Sequence, residues 1–175
     1  MALNWLFFGA MVVGAVLDQV GVVWFFEWPV GQEVLTLRVD LAWIMVVDIF
    51  LFNLVLSSFL LVTLTGLLFF GLPLAFLLYR ALLWGALINM LPTSLLFAAL
   101  LTLILEGEGY VLASLAGFNL GLSWLKPKWV YEGEGLSRLE SVKKALRDSL
   151  RVYVLVAVLL LCAAVVETLT IILIF

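Results

Sequence analysis

"ILEGEGYVLASLAGFNLG", residues 104–121, places two glutamates and four glycines inside an apolar part of the chain. The preceding residues, 95–105, carry no charge. A water-exposed loop and a polar site buried in a membrane are both consistent with such a stretch. The rest of the sequence decides which surroundings it has.

The composition is that of a membrane protein. Of the 175 residues, 66% are hydrophobic and 12% are charged, whereas soluble domains have roughly 45–50% apolar and about 25% charged residues. The length allows about five spans of ~20 residues. We therefore expect an all-α polytopic membrane helix bundle in one transmembrane domain, 1–175, surrounded by the lipid bilayer. We expect no cofactor and no nucleic-acid partner.

The chain has few residues of the types that bind metals or form disulfides. The chain has no histidine and a single cysteine, Cys162, within an apolar run. A disulfide within one chain is excluded, and a Cys/His metal centre is disfavoured. Whether carboxylates bind a metal stays open.

Five apolar stretches predict the transmembrane helices. They lie at about 4–26, 41–65, 67–88, 93–124 and 152–175. The fourth is long, and its EGEG sequence predicts a break. A second EGEG, at 132–135, has polar neighbours and predicts a plain loop. The capping-box pattern "SRLE" then begins an amphipathic helix, about 137–151, which we expect on the cytoplasmic membrane surface and continuing into the last span.

The distribution of lysine and arginine predicts the orientation. Residues 126–151 hold seven of the nine basic residues against four acids, and basic segments near membrane ends favour the cytoplasm. We expect a multi-pass protein of the cell membrane with its N-terminus in the cytoplasm, the acidic connection 27–40 outside and the C-terminus outside. A re-entrant hairpin at 93–124 would reverse the side of the acidic connection.

Polar residues inside the predicted spans are the candidate site residues. A charge at the bilayer centre costs about 2.5–3.5 kcal/mol on insertion scales, so such residues normally face protein or water. The intramembrane polar and ion-site candidates are Asp18, Asp48, Asn53, Arg80, Glu106 and Glu167. Arg80 is the only basic residue in the predicted spans and the natural partner of the carboxylates. A structural ion pair, a protonated hydrogen-bonded carboxylate and an ion- or proton-conducting site are three open interpretations.

Small residues predict where helices approach closely. Gly109, Ala113, Gly117 and Gly121 form a small-residue ridge at intervals of four, which is typical of helix packing in lipid. Such a ridge serves contacts within one chain or between copies, and we expect a homo-oligomer. Asp18 shares a face with small residues of the first span and should face a neighbouring helix. Glu108 should point away from Glu106, towards water or an interface.

The spacing of Glu106, Ala113, Gly117 and Gly121, together with Glu167 in "AAVVETLT", resembles the SpoIIM-like (stage II sporulation protein M) family of integral membrane proteins. Looser similarity, including Asn53 and Gly66, extends over about 45–175. Relatives commonly carry a His-Gly pair before the first glutamate, where this chain has Thr102 and Leu103. The resemblance implies a helical membrane protein. In spore formers the family member acts with cell-wall hydrolases during engulfment and organises them at the membrane.

Two functional hypotheses follow. The first is a non-enzymatic scaffold or assembly factor that has protein partners and whose buried charges hold the bundle together. The alternative is a cation or proton transporter or channel that uses Glu106, Glu167 and Asp48, with Arg80 as counter-charge. An enzyme is disfavoured, and no catalytic residues are expected, because no serine or cysteine is visibly paired with a base.

Overall fold

The computed structural model describes residues 1–21 and 41–174, which form a bundle of long helices. The α-helices are α1 (Ala2–Gln19), α2 (Ala42–Leu51), α3 (Leu72–Met90), α4 (Thr93–Leu125), α5 (Pro127–Val130) and α6 (Arg138–Ile174). From α2 the chain continues as a π-helix, Phe52–Thr63, and a 3₁₀-helix, Leu64–Leu67. Five helical stretches in the described residues are long and apolar enough to cross a membrane. The expected all-α polytopic bundle is confirmed.

The predicted break at the first EGEG is wrong, because α4 runs without interruption through these residues. This continuity also leaves no re-entrant hairpin within 93–124. A glycine in a helix costs about 1 kcal/mol relative to alanine, but an unpaired backbone group in lipid costs several. Both glycines also contact other helices: a Cβ at Gly107 would meet the ring of Phe7, and one at Gly109 would meet Leu160.

The predicted amphipathic helix and the last span form a single helix, α6, so the segment runs on into the span as expected. Residues 138–174 contain neither glycine nor proline to bend the chain. At ~1.5 Å per residue, this helix is about 55 Å long, whereas the hydrocarbon core is about 30 Å thick. The helix is therefore longer than the hydrocarbon core is thick. The predicted capping box is present: Glu140 accepts a 2.9 Å hydrogen bond from the backbone N–H of Ser137.

Two helix boundaries differ from the sequence prediction. α1 ends at Gln19, and Gly21 has a positive φ of 73°, so the helix is shorter than the predicted span 4–26. Residues 22–26 and the acidic connection 27–40 lie outside the described residues. α3 begins at Leu72 rather than 67. The fixed φ of Pro73 suits the first turn of a helix.

The bundle is assembled from two closely packed helix pairs. α6 packs along α4, and α1 packs along α3. In the α1–α3 pair, a Cβ at Gly14 would overlap the carbonyl group of Leu82, and one at Gly85 would overlap that of Met11. Between the pairs lies an apolar core that includes the buried side chains of Phe7, Leu77, Trp84, Tyr110 and Leu160. This packing brings the π-helical segment against α4.

Candidate functional site

The side-chain amide of Asn53 lies at the centre of a polar cluster that joins three helices. Its Nδ2 donates a 2.6 Å hydrogen bond to Oε1 of Glu106 on α4. Its Oδ1 accepts hydrogen bonds from the hydroxyl of Tyr110 at 2.7 Å and from Nη2 of Arg80 on α3 at 3.4 Å. Asn53 is 5% exposed and Glu106 is 6% exposed. We call Asn53, Arg80, Glu106 and Tyr110 the polar cluster.

Asn53 is presented by the π-helical segment, a rare backbone form that frequently occurs at functional sites. Polar side chains of this segment donate hydrogen bonds both within it and to α4. The hydroxyl of Ser58, five residues on, donates a 2.8 Å hydrogen bond to the carbonyl oxygen of Asn53. Further along, the hydroxyl of Thr63 donates to the carbonyl oxygen of Ala113 at 2.9 Å. The segment is attached to α4 at two levels, by the bond of Asn53 to Glu106 and by that of Thr63 to Ala113.

Arg80 contacts an amide and two aromatic faces instead of a carboxylate. Its guanidinium carbon lies 4.0 Å from the ring centroid of Tyr110 and 4.9 Å from that of Trp84, which are cation–π distances. Within the described residues, no nitrogen of Arg80 lies within 4.0 Å of a carboxylate oxygen. Its Nε is buried without a hydrogen-bond partner there. The direct ion pair expected from the sequence is absent from this part of the chain.

Glu167 brings α6 to the same region. Its side chain is half-buried, and its charge interacts with those of Glu106 and Arg80. Two carboxylates and one guanidinium leave an excess of one negative charge when both acids are ionised. Because uncompensated charge is costly inside a membrane, this excess favours a bound proton or cation, or contact with water.

A family model identifies the chain over almost its whole length. The model of the SpoIIM family, stage II sporulation protein M, matches residues 6–170. The chain belongs to this family. No curated protein and no solved structure matches it.

The residues that carry the SpoIIM resemblance lie in the site and along one side of α4. Glu106 belongs to the polar cluster, and Ala113 is fully buried. A Cβ at Gly117 would press on Thr63, and one at Gly121 would overlap the carbonyl oxygen of Gly66. The small-residue ridge is therefore used for packing within the chain. Gly109 packs against α6, Gly117 against Thr63 and Pro73, and Gly121 against Gly66 and Phe70.

At the position where SpoIIM relatives commonly carry a histidine, this chain has Thr102. The one hydrogen bond described for its side chain stays within α4. The hydroxyl of Thr102 donates a 3.2 Å hydrogen bond to the carbonyl oxygen of Ala98, one turn earlier. Thr102 is 8% exposed. A buried threonine bonded in this way fills the position without supplying a titratable group.

Glu108 points away from Glu106, as predicted, and its half-buried side chain contacts α1. Its two carboxylate oxygens accept hydrogen bonds from Nδ2 of Asn4 at 2.7 and 2.9 Å. Because α4 stays helical through EGEG, Glu108 is turned about 200° from Glu106, and α1 occupies that side of α4. The pair attaches α1 to α4 by a polar contact.

Asp18 and Asp48 lie outside the polar cluster. Asp18 accepts a 3.1 Å hydrogen bond from Nδ2 of Asn89, which also donates to the carbonyl oxygen of Ala15 at 2.7 Å. Asp18 thus faces α3, the neighbouring helix, as expected. Asp48 is exposed, and no hydrogen bond or ion pair joins it to a described residue. Within the part of the chain that the structure describes, no three metal-ligating side chains group together.

Sequence reasoning missed the aromatic part of the site. Tyr110 is fully buried, and Trp84 is 8% exposed. The spacing carried a signal: Tyr110 follows Glu106 by four residues, and Trp84 follows Arg80 by four. Residues at this interval share a helix face, so each aromatic ring lies beside its charged neighbour.

Proposed function

We propose that this SpoIIM-family protein is a non-enzymatic membrane scaffold or assembly factor. The observation that carries the proposal is the bridging amide of Asn53, which is bonded at once to Glu106, Tyr110 and Arg80. Polar side chains that are hydrogen-bonded to one another between helices hold a bundle in one register. A rigid bundle of this kind presents its ends at fixed positions to partner proteins.

The orientation is part of the proposal. The basic end of α6 projects into the cytoplasm, with the N-terminus on the same side and the C-terminus outside, in accordance with the charge of residues 126–151. Protein partners on the cytoplasmic side meet the projecting part of α6 and the short α5. Homo-oligomerisation uses surfaces other than the small-residue ridge of α4, since that ridge is occupied within the chain.

The test measures stability and ion movement on the same full-length protein. Replacing Glu106→Leu leaves Asn53 without its acceptor, so the variant should unfold in detergent at a lower temperature than the parent. Proteoliposomes of the parent should retain an imposed potassium or proton gradient as well as empty liposomes do. Asp48→Asn is the matched control, because it alters an exposed carboxylate outside the cluster, and its melting temperature should equal that of the parent. A parent protein that dissipates either gradient would contradict the scaffold proposal.

Cation or proton transport is the second candidate, and the convergence of Glu106, Glu167 and Arg80 favours it. The excess negative charge at this point is the usual setting for a bound cation or proton in a transporter. On this proposal the parent conducts, and both Glu106→Gln and Glu167→Gln abolish the flux while the melting temperature stays within a few degrees of the parent's. Equal flux from the parent and both variants would exclude it.

A further inference from the structure

A groove outside the polar cluster separates the end of α4 from the start of α6. Its volume is 410 Å³, within the range of about 300–1,000 Å³ for pockets that hold small molecules. Most of its surface is apolar. The lining residues used below are Leu115, Asn119, Leu122, Asp148, Ser149 and Val152, and Val130 of α5 closes one side.

The polarity of the groove changes along its length. α4 runs towards the basic segment and α6 runs away from it, so Leu115 and Val152 lie at the end nearer the bilayer centre. The polar members, Asn119, Asp148 and Ser149, lie nearer the basic segment, together with the apolar side chains of Leu122 and Val130. An amphiphile with its tail towards the bilayer centre and its head at the basic interface matches this arrangement.

The polar end contains a hydrogen-bonding group that the protein leaves unused. Ser149 is 4% exposed, and its hydroxyl has no partner among the described residues. A buried hydroxyl without a partner is costly, and a ligand head group that accepts a hydrogen bond would remove that cost.

Arg151 does not line the groove, but it lies next to it through its contact with Asp148, the one charged lining residue. Asp148 is already engaged, because it accepts hydrogen bonds from Arg151 and from the hydroxyl of Tyr131, each at 3.3 Å. The side chain of Arg151 is 75% exposed. A guanidinium has five N–H donors, so most of its donors remain for a phosphate. The net charge of the surrounding segment, 126–151, is positive.

We propose that this groove binds one anionic glycerophospholipid of the leaflet on the basic side. An acyl chain lies against Leu115 and Val152, the phosphate lies beside Arg151, and the hydroxyl of Ser149 donates to a head-group or ester oxygen. The site is separate from the polar cluster and does not depend on the scaffold or transport proposals.

The experiment uses the full-length protein in detergent with phosphatidylglycerol as the probe and phosphatidylcholine as the zwitterionic comparison. Native mass spectrometry counts the lipids that each chain retains. Leu122→Trp fills the groove and should reduce retention of both lipids at least fivefold. Arg151→Gln keeps the apolar groove and should reduce the preference for phosphatidylglycerol about fivefold, since one basic side chain near an anionic lipid surface contributes roughly this much.

The matched controls lie on surfaces away from the groove. Leu161→Trp adds the same bulk to an exposed position on the opposite face of α6 from Val152, and Lys143→Gln removes an exposed charge. Both should retain lipid as the parent does. If Leu122→Trp fails to fold, Val130→Trp fills the groove from α5 and is measured in its place. A phosphatidylglycerol carrying a photoreactive group on its acyl chain should label the 115–122 and 148–152 peptides. Unchanged retention in the filled variant, or labelling spread evenly over all lipid-facing helices, would overturn the proposal.

Discussion

Asn53 donates a 2.6 Å hydrogen bond to Glu106, and the same amide accepts one from Tyr110. The two bonds use both polar atoms of the amide, Nδ2 and Oδ1. Because Asn53 is buried, water cannot replace either partner if it is lost. The carboxylate of Glu106 is thus held by a neutral donor, while Arg80 stacks on the ring of Tyr110. The cluster depends on the amide as much as on the charges.

Removing this amide should destabilise the bundle. Asn53→Leu fills a similar volume but leaves Glu106 and Tyr110 without their partner, and an unsatisfied buried polar group costs about 1–3 kcal/mol. We expect the free energy of unfolding, measured by titration with a denaturing detergent, to fall by that amount. Leu60→Ala, at a half-exposed position in the same π-helical segment, should change it less.

A double variant separates the bond from the volume change. Asn53→Leu combined with Glu106→Leu removes both partners, so the loss should be smaller than the sum of the two single losses. Strictly additive losses would show that the 2.6 Å bond contributes nothing to stability.

The close approach of α1 and α3 predicts opposite outcomes for two glycines. A Cβ at Gly85 would overlap the backbone of Met11, whereas one at Gly9 would meet nothing within 4 Å. Gly85→Ala should therefore cost about 1–3 kcal/mol of unfolding free energy, as overpacking typically does. Gly9→Ala should be neutral or stabilising by up to about 1 kcal/mol, because alanine favours the helix. Equal effects of the two variants would contradict the observed packing of α1 on α3.

The two EGEG copies should differ sharply in amide hydrogen exchange. Residues 106–109 lie in the middle of α4, while residues 132–135 lie in a turn where Gly133 and Gly135 have positive φ. Helical amides in the bundle exchange only when the bundle opens, whereas turn amides exchange without such protection. Peptides of the first copy should remain protected for hours after those of the second are fully exchanged. Rapid exchange at 106–109 would contradict the continuous helix and support the break that the sequence predicted.

The projection of α6 beyond the bilayer can be tested with single cysteines. In a Cys162→Ser background, Leu146→Cys and Val158→Cys each place a thiol at an exposed position. In the parent, the side chain of Leu146 is 42% exposed and that of Val158 is 52% exposed. A thiol reacts with a maleimide as the thiolate, which needs water, so only Leu146→Cys should be labelled. A membrane-impermeant maleimide should label it in inverted vesicles and not in intact cells. Labelling in intact cells would reverse the proposed orientation, and labelling of Val158→Cys would contradict the position of the span.

The helix content and the approximate helix positions follow from the sequence. Apolar runs separated by short polar connections predict the spans, because the hydrocarbon core excludes unpaired backbone groups whatever the tertiary contacts are. The Ser137–Glu140 capping box and the turn at 132–135 are equally local, since each depends on residues within four positions. The small-residue spacing of α4 predicts close packing but does not identify the helix that fills it.

The sequence by itself determined a membrane bundle of helices and named the polar residues that had to be accommodated within it. Only the tertiary structure decided their partners: Asn4 for Glu108, Asn53 for Glu106, and two aromatic rings for Arg80. It also kept EGEG helical, because Phe7 and Leu160 pack where larger side chains would not fit and lipid gives a broken backbone no water to bond. Helix formation in a bilayer is a local requirement, whereas the amide–carboxylate pairs join residues 53 and 104 positions apart.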